Sequence, residues 1–578
     1  MSLAPIDWAI IAATFAGAAA IGLLLARRGG RSVTDFFLGG RRLPWWLAGT
    51  SMVATTFAAD TPLAVAGLVA ANGISGNWIW WSAALGSALT VFFFARLWRR
   101  AGILTDVELA ELRYSGRPAA LLRAFRAVYL GLPINCVVMG WVNLAMAKVL
   151  AVTLGWDRLT AVFVSLAVTG IYSALGGLWG VVVTDMAQFA LAMTGSVALA
   201  WFALRAPEVG GLAGLAERLP AGSLDFVPAF GAGGVAGAAS LPLTAFLAYV
   251  TVQWWASWYP GQEPGGGGYV AQRMMSAKDE RHAFLATLWF TVAHYCLRPW
   301  PWILVGLASV ILYPGLTDKE AGYVLVLRDY LPPGWRGLLL GAFFAAYMST
   351  ISTQLNWGTS YLVNDVYRRF VRADAPERHY VSVSRVTTVA LMVLSGVVTL
   401  YLDSVRQAWE FVLESGAGIG LVLILRWYWW RVNAWSEISA MVAAAVGYAG
   451  LKFLTDLAFP ATLFALVAWT TTCWLAVTLL TPPEPEAHLE RFYRRCRPGG
   501  PGWRGVAARA GEPPPEPVLG LLLDWVAGWV LIYAVLFGMG RVLFSGWLAA
   551  APFFAVAAAA GWLVARDVGR RGWKTVTG

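Results

Sequence analysis

The chain has 578 residues, 58% of them hydrophobic and only 13% charged, with 32 tryptophans and a mean hydropathy of +0.62. This balance excludes a soluble globular protein: windows of about 20 apolar residues, each enough for the roughly 30 Å hydrocarbon core, recur along the length, and no soluble domain of normal size fits between them. The net charge of +11 would suggest nucleic acid in a soluble protein, but the arginines sit in short loops between apolar runs and read as topology signals, so no nucleic-acid partner is expected.

About fifteen spans are predicted, near residues 7–26, 45–73, 77–95, 124–154, 158–177, 181–204, 236–258, 283–313, 336–367, 382–403, 408–430, 433–455, 459–481, 517–541 and 545–566. The first follows Asp7 and has its arginines after it, the reverse of a signal peptide, so it reads as a retained helix. Arg27, Arg28, Arg31, Arg41 and Arg42 mark the first loop as cytoplasmic, and Arg96, Arg99, Arg100, Arg113 and Arg117 the third. The alternation continues through Arg273, Lys278 and Arg281, then Arg368, Arg369 and Arg372, then Arg491, Arg494, Arg495 and Arg497, and last Arg570, Arg571 and Lys574. This puts the N-terminus outside and the C-terminus inside a plasma membrane, the bacterial cytoplasmic membrane being expected.

Polar groups inside these spans carry the chemistry. In Thr55-Thr56-Phe57-Ala58-Ala59-Asp60-Thr61-Pro62, proline removes a backbone donor, so the helix is expected to break near Thr61-Pro62 and free carbonyls near Ala58 and Thr61 for a cation. Asp60 is either functional, as intramembrane carboxylates are costly, or merely turned toward a polar neighbour. Asp185 is a lone carboxylate near the start of its span, open to reading as an interfacial cap. Gln253-Trp254-Trp255-Ala256-Ser257-Trp258-Tyr259 ends one span and Asn77-Trp78-Ile79-Trp80-Trp81 begins another, as interfacial belts do. The run Gly265 to Gly268 lacks the Lys-Ser/Thr of a phosphate loop and reads as a flexible connector.

Arg298 lies well inside its span with His294 one turn earlier on the same face. A guanidinium at that depth needs either a substrate carboxylate or an internal partner among Glu410, Glu414 and Asp60. Lys148, nearer a helix end, is expected to snorkel. In residues 342 to 354, Ser349, Thr350, Ser352 and Thr353 cluster in an apolar stretch, and positions 349, 352 and 353 share one helical face that can offer several oxygens to a hard cation. Around Glu414, the glycines at 416, 418 and 420 weaken a helix, which suits either a mobile gate or tight helix packing. Residues 482–516, rich in Pro, Arg and Glu, read as a cytoplasmic linker. Cys136, Cys296, Cys473 and Cys496 lack metal spacing and read as packing residues or free thiols. Four histidines without HExxH or a nucleophile–base pattern argue against an enzyme.

These segments resemble the sodium:solute symporter family over roughly residues 34 to 435. The shared motifs are Asp35-Phe36-Phe37-Leu38-Gly39-Gly40-Arg41, Gly176-Gly177-Leu178-Trp179 leading to Thr184-Asp185, Gln272-Arg273 with Ser276-Ala277-Lys278, and Met348-Ser349-Thr350. The resemblance implies an all-α polytopic protein with a leucine-transporter-like fold: two inverted five-helix repeats at 45–204 and 236–431 with discontinuous first helices at the midplane. Residues 1–44 would precede them, 205–235 form an extracytoplasmic loop, 432–481 add accessory helices, and 517–578 form the last helices and tail. It also implies one sodium site from carbonyls of Ala58, Thr61 and Ala346 with hydroxyls of Ser349 and Thr350. A second would use Asp185, Ser349, Ser352 and Thr353, giving Na+ as the coupling ion, although an aspartate can also relay protons. Family geometry favours Gln253 and Trp254 as solute contacts.

The expected function is sodium-coupled symport of a small organic solute, with a carboxylate favoured through Arg298 and with Asp60, Gln253, Trp254, His294 and Glu414 as further candidates. A neutral sugar and a solute-sensing receptor on the same fold are the alternatives. No soluble output domain after residue 566 supports the receptor.

Overall fold

The computed structural model describes residues 3–26, 38–173, 178–228, 240–257 and 265–571. Asp35, Phe36, Phe37, Gly176, Gly177, Trp258 and Tyr259 lie outside these, as do Arg27, Arg28, Arg31 and Lys574. Among the described residues the architecture is helical throughout, and the β contact present is an isolated parallel bridge between Leu43 and Ala277. Among the described residues ten helices are long and apolar enough to cross a membrane, twelve when each of two bent pairs is one span. Helices Pro5–Ala26, Arg158–Ser173 and 243–256 fill the other predicted positions.

Burial sorts the spans into an inner set and a lipid-facing set. The apolar windows of Ile74–Ala101 and Trp335–Val371 are 89% buried, whereas that of Glu377–Leu400 is 11% buried. Exposed Val386, Val389 and Val393 on the latter need hydrocarbon around them.

Eight helices position the polar interior: α1 (Trp45–Thr55), α2 (Asp60–Asn72), α3 (Leu178–Arg205), α4 (243–256), α5 (Glu280–Leu312), α6 (Trp335–Val371), α7 (Val405–Ser415) and α8 (Gly420–Tyr428). α1 packs against α3, α5 and α6, and α2 against the second half of α5. α1 and α2 meet at 63°. The break falls at 56–59, a few residues before the predicted Thr61-Pro62, because proline is tolerated in the first turn of a helix and Pro62 occupies that turn of α2. Its effect is felt four residues back. An unbroken helix would pair the Ala58 carbonyl with the N–H that Pro62 lacks, and this carbonyl instead accepts a long 3.4 Å bond from the Thr61 N–H.

The second bent pair, α7 and α8, meets at 50° across the glycine cluster. Gly418 has φ +87°, in the left-handed region, and its N–H donates to the Ala256 carbonyl at 2.9 Å. A Cβ on Gly420 would lie 2.0 Å from the Trp255 carbonyl oxygen. These glycines therefore permit both a break and close packing onto α4. Gly420→Ala is expected to force α8 from α4 at a cost of about 1–3 kcal/mol, read as a lowered thermal midpoint in detergent. The predicted second repeat opens at α4, but residues 236–239 and 258–264 lie outside the description; the bent pair observed in that half is α7–α8.

Three expectations change. Residues 482–516 are not a free linker: in helix Glu486–Cys496, Leu489, Phe492, Tyr493 and Cys496 form one buried stripe, and Arg113 lies over the Phe492 and Trp503 rings. The glycine run is tied down at both ends, with the Gly265 carbonyl accepting from Trp98 Nε1 at 2.6 Å and the Gly268 N–H donating to Asp106 at 2.9 Å. Lys148 does not snorkel to water; its Nζ meets Glu320 at 2.6 Å and Asp318 at 2.9 Å, since folding brings both carboxylates to that helix end.

Candidate functional site

The α1–α2 break opens onto a cavity of about 100 Å³ accessible to water. Thr55, Thr56, Ala58, Asp60 and Thr61 form one wall; Gln253, Trp254 and Ser257 at the end of α4, His294 and Arg298 of α5, and Thr350 and Gln354 of α6 form others. Trp80, Trp141, Trp409, Leu413, Ser82 and Tyr269 are among its other lining residues. Side chains repair part of the broken helix. Thr61 Oγ1 donates to the Thr56 carbonyl at 3.2 Å, and Arg298 Nη1 donates to the Val53 carbonyl at 2.9 Å and to Thr56 Oγ1 at 3.0 Å. A guanidinium at the C-terminal end of α1 also complements the partial negative charge of that helix end.

Arg298 is 1% exposed, its guanidinium lies 5.3 Å over the Trp302 ring, and its Nε and Nη2 have no hydrogen-bond partner. Among the described residues it makes no ion pair. Of the internal partners the sequence allowed, Glu410 pairs with Arg406 at 2.7 Å, and Glu414 lines a different cavity with Tyr448, Lys452 and Asp456. Asp60 shares the central cavity, 3% exposed, with its Oδ1 unpartnered. His294 Nδ1 meets Thr56 Oγ1 at 3.1 Å, its ring edge-on to Trp80. Gln253 Nε2 donates to the Ile79 carbonyl at 3.2 Å, and Trp254 Nε1 to the Val250 carbonyl at 3.0 Å.

Asp185 is not an exposed cap: it is 1% exposed, on α3, and ringed by hydroxyls. Its Oδ1 accepts from Ser349 Oγ at 2.6 Å, and its Oδ2 from Ser51 Oγ at 3.0 Å and Thr55 Oγ1 at 3.4 Å. Ser352 Oγ donates to the Ser349 carbonyl at 3.1 Å, while Thr353 is half-buried on the same helix. Thr350 Oγ1 is buried without a partner at the cavity, and Ala346 is buried one turn earlier. Three helices thus bring oxygens together around one carboxylate. Sequence reasoning did not single out Ser51, or Thr55 as a partner of Asp185, although their i, i+4 spacing places both on one face of α1. It also missed Arg273 here: Nη2 donates to Thr55 Oγ1 at 3.4 Å, and the guanidinium attracts Asp185.

Membrane helices with broken spans around a buried polar cavity are the architecture of a secondary transporter. The model of the sodium:solute symporter family matches residues 36–447, and the chain belongs to that family, whose members are sodium-coupled transporters and not enzymes. Sodium/glucose cotransporter 1 of Oryctolagus cuniculus is 25% identical over 547 residues, covering 80% of this chain and 77% of that protein. The sodium/glucose cotransporter of Vibrio parahaemolyticus is 24% identical over 457 residues, covering 73% and 80%. In fold, the chain is similar to a Na+-coupled sialic acid symporter solved in a substrate-bound outward-open state, with a TM-score of 0.64 at 19% identity, over 84% of this chain and 100% of that one. The chain is therefore a multi-pass membrane protein that couples transport of a solute to Na+.

Proposed function

We propose that the protein moves a small carboxylate-bearing solute inward with sodium, by alternating access through the cavity at the α1–α2 break. The observation that carries this is Arg298, whose Nε and Nη2 lack partners in the cavity wall while no described carboxylate pairs with it. A planar fork with two free donors suits a carboxylate. Uptake into proteoliposomes tests the proposal: a sodium gradient is expected to drive accumulation of a carboxylate solute, and equal uptake with a potassium gradient would reject it.

In this reading one sodium binds carbonyls of Ala58, Thr61 and Ala346 with the hydroxyls of Ser349 and Thr350. The weakly bonded Ala58 carbonyl and the unpartnered Thr350 Oγ1 support it. A second sodium binds Asp185, Ser349, Ser352 and Thr353, supported by the hydroxyl cluster on Asp185. Each ion adds about 2.3 kcal/mol per 100 mV of membrane potential to the driving force. Because these oxygens come from different helices, sodium can favour the solute-competent state by its differential affinity. The N-terminus lies outside and the C-terminus in the cytoplasm.

Thr350→Ala and Ser349→Ala are each expected to raise the sodium concentration for half-maximal uptake by about tenfold or more, the scale of one charge-assisted contact of about 1.5–3 kcal/mol. Unchanged sodium dependence in both would remove the assignment. A neutral sugar is the second reading: Trp80, Trp141 and Trp254 offer ring faces beside Gln253 in the cavity, and the relatives named above are sodium/glucose cotransporters.

A further inference from the structure

The cavity wall holds a carboxyl group and a guanidinium that do not pair with each other. Asp60 and Arg298 both line it and are close enough to attract, yet no ion pair forms between them within 4.0 Å. Each keeps an unsatisfied atom, Oδ1 on the carboxylate and Nε and Nη2 on the guanidinium. Three neutral oxygens of residues lining the same cavity are unpartnered as well: Thr350 Oγ1, Gln354 Oε1 and Ser257 Oγ. Buried polar groups are rarely left without partners unless a ligand or water completes them.

A plain carboxylate would satisfy Arg298 but place a second negative charge near Asp60. A neutral sugar would bring no counter-charge to Arg298 or Asp60, and a buried group without a counter-charge is costly. A solute carrying a carboxylate at one end and an ammonium at the other completes both. From this geometry we infer that the solute is dipolar, of the amino-acid class: its carboxylate is held by Nε and Nη2 of Arg298, and its ammonium by Asp60. Trp80, Trp141 and Trp409 line the same cavity, and aromatic rings tolerate a cation as well as apolar groups. The inference rests on the carboxylate reading of Arg298 and adds Asp60 as the residue that selects for an amine.

The test is a solute panel on the reconstituted full-length protein under a sodium gradient. Glycine, L-alanine, L-leucine and L-proline carry both charges. L-lactate and L-2-hydroxy-4-methylpentanoate keep the carboxylate and lose the ammonium, L-alaninamide and L-leucinamide do the reverse, and D-glucose has neither. At least one amino acid is expected to be accumulated, with its hydroxy-acid and amide counterparts at least tenfold weaker as competitors. Asp60→Asn is expected to narrow the amino-acid to hydroxy-acid ratio at least fivefold. If hydroxy acids match the amino acids, the dipolar inference falls while the carboxylate reading of Arg298 stands. If glucose alone is accumulated, or none of the amino acids and hydroxy acids, both fall. The wild-type panel decides even where Asp60→Asn fails to fold, and a thermal shift of that variant with and without sodium reports whether it is folded.

Discussion

Asp185→Asn is expected to abolish sodium-driven uptake or remove one charge from the coupling ratio. The carboxylate accepts from Ser349, Ser51 and Thr55. Asn offers one acceptor oxygen and turns two N–H donors toward hydroxyls that already donate. It also leaves the buried Arg273 without the negative charge that attracts it. Hydrogen bonds to a charged group are worth about 1.5–3 kcal/mol each, so losing even one predicts a rise of about tenfold or more in the sodium requirement. Current and solute flux measured together give the charge-to-solute ratio. A variant with wild-type ratio and wild-type sodium dependence would show that Asp185 holds the helices together without binding an ion.

For Arg298→Lys, the expected result separates solute from sodium. Lysine keeps the charge and can still cap the end of α1, where Arg298 Nη1 meets the Val53 carbonyl and Thr56 Oγ1. It loses the planar fork, so no pair of unpartnered donors remains to engage a carboxylate together. Apparent affinity for the solute is expected to fall at least tenfold, about 1.4 kcal/mol, with sodium-induced thermal stabilisation of the solute-free protein preserved. Equal loss of sodium stabilisation would mean that Arg298 serves the helix break rather than the solute.

Legibility differed between neighbouring residues for physical reasons. The hydroxyls at 349 to 353 and the proline at 62 stood out because each violates what an apolar helix tolerates, and both lie at the polar interior. Glu414 was read toward the solute and lines another cavity, while Trp409 and Leu413 line the central one. Positions 409 and 413 share a face of α7 that 410 and 414 do not, and sequence alone does not say which face turns inward. Similarly, Pro, Arg and Glu made 482–516 look like a linker, although its apolar residues recur at helical spacing and bury against Trp427 and Arg113.

Composition and apolar periodicity were by themselves enough to determine a polytopic helical membrane protein, because a bilayer admits few ways of satisfying a backbone. The ordered motifs carried the family, and with it sodium coupling. Only the tertiary structure decided which polar groups meet: that Asp185 of α3 collects hydroxyls from α1 and α6, that Lys148 finds Glu320, and that Arg298 caps α1 while keeping two donors without partners. Those pairings depend on how helices distant in sequence rotate and pack, which periodicity within one helix does not encode.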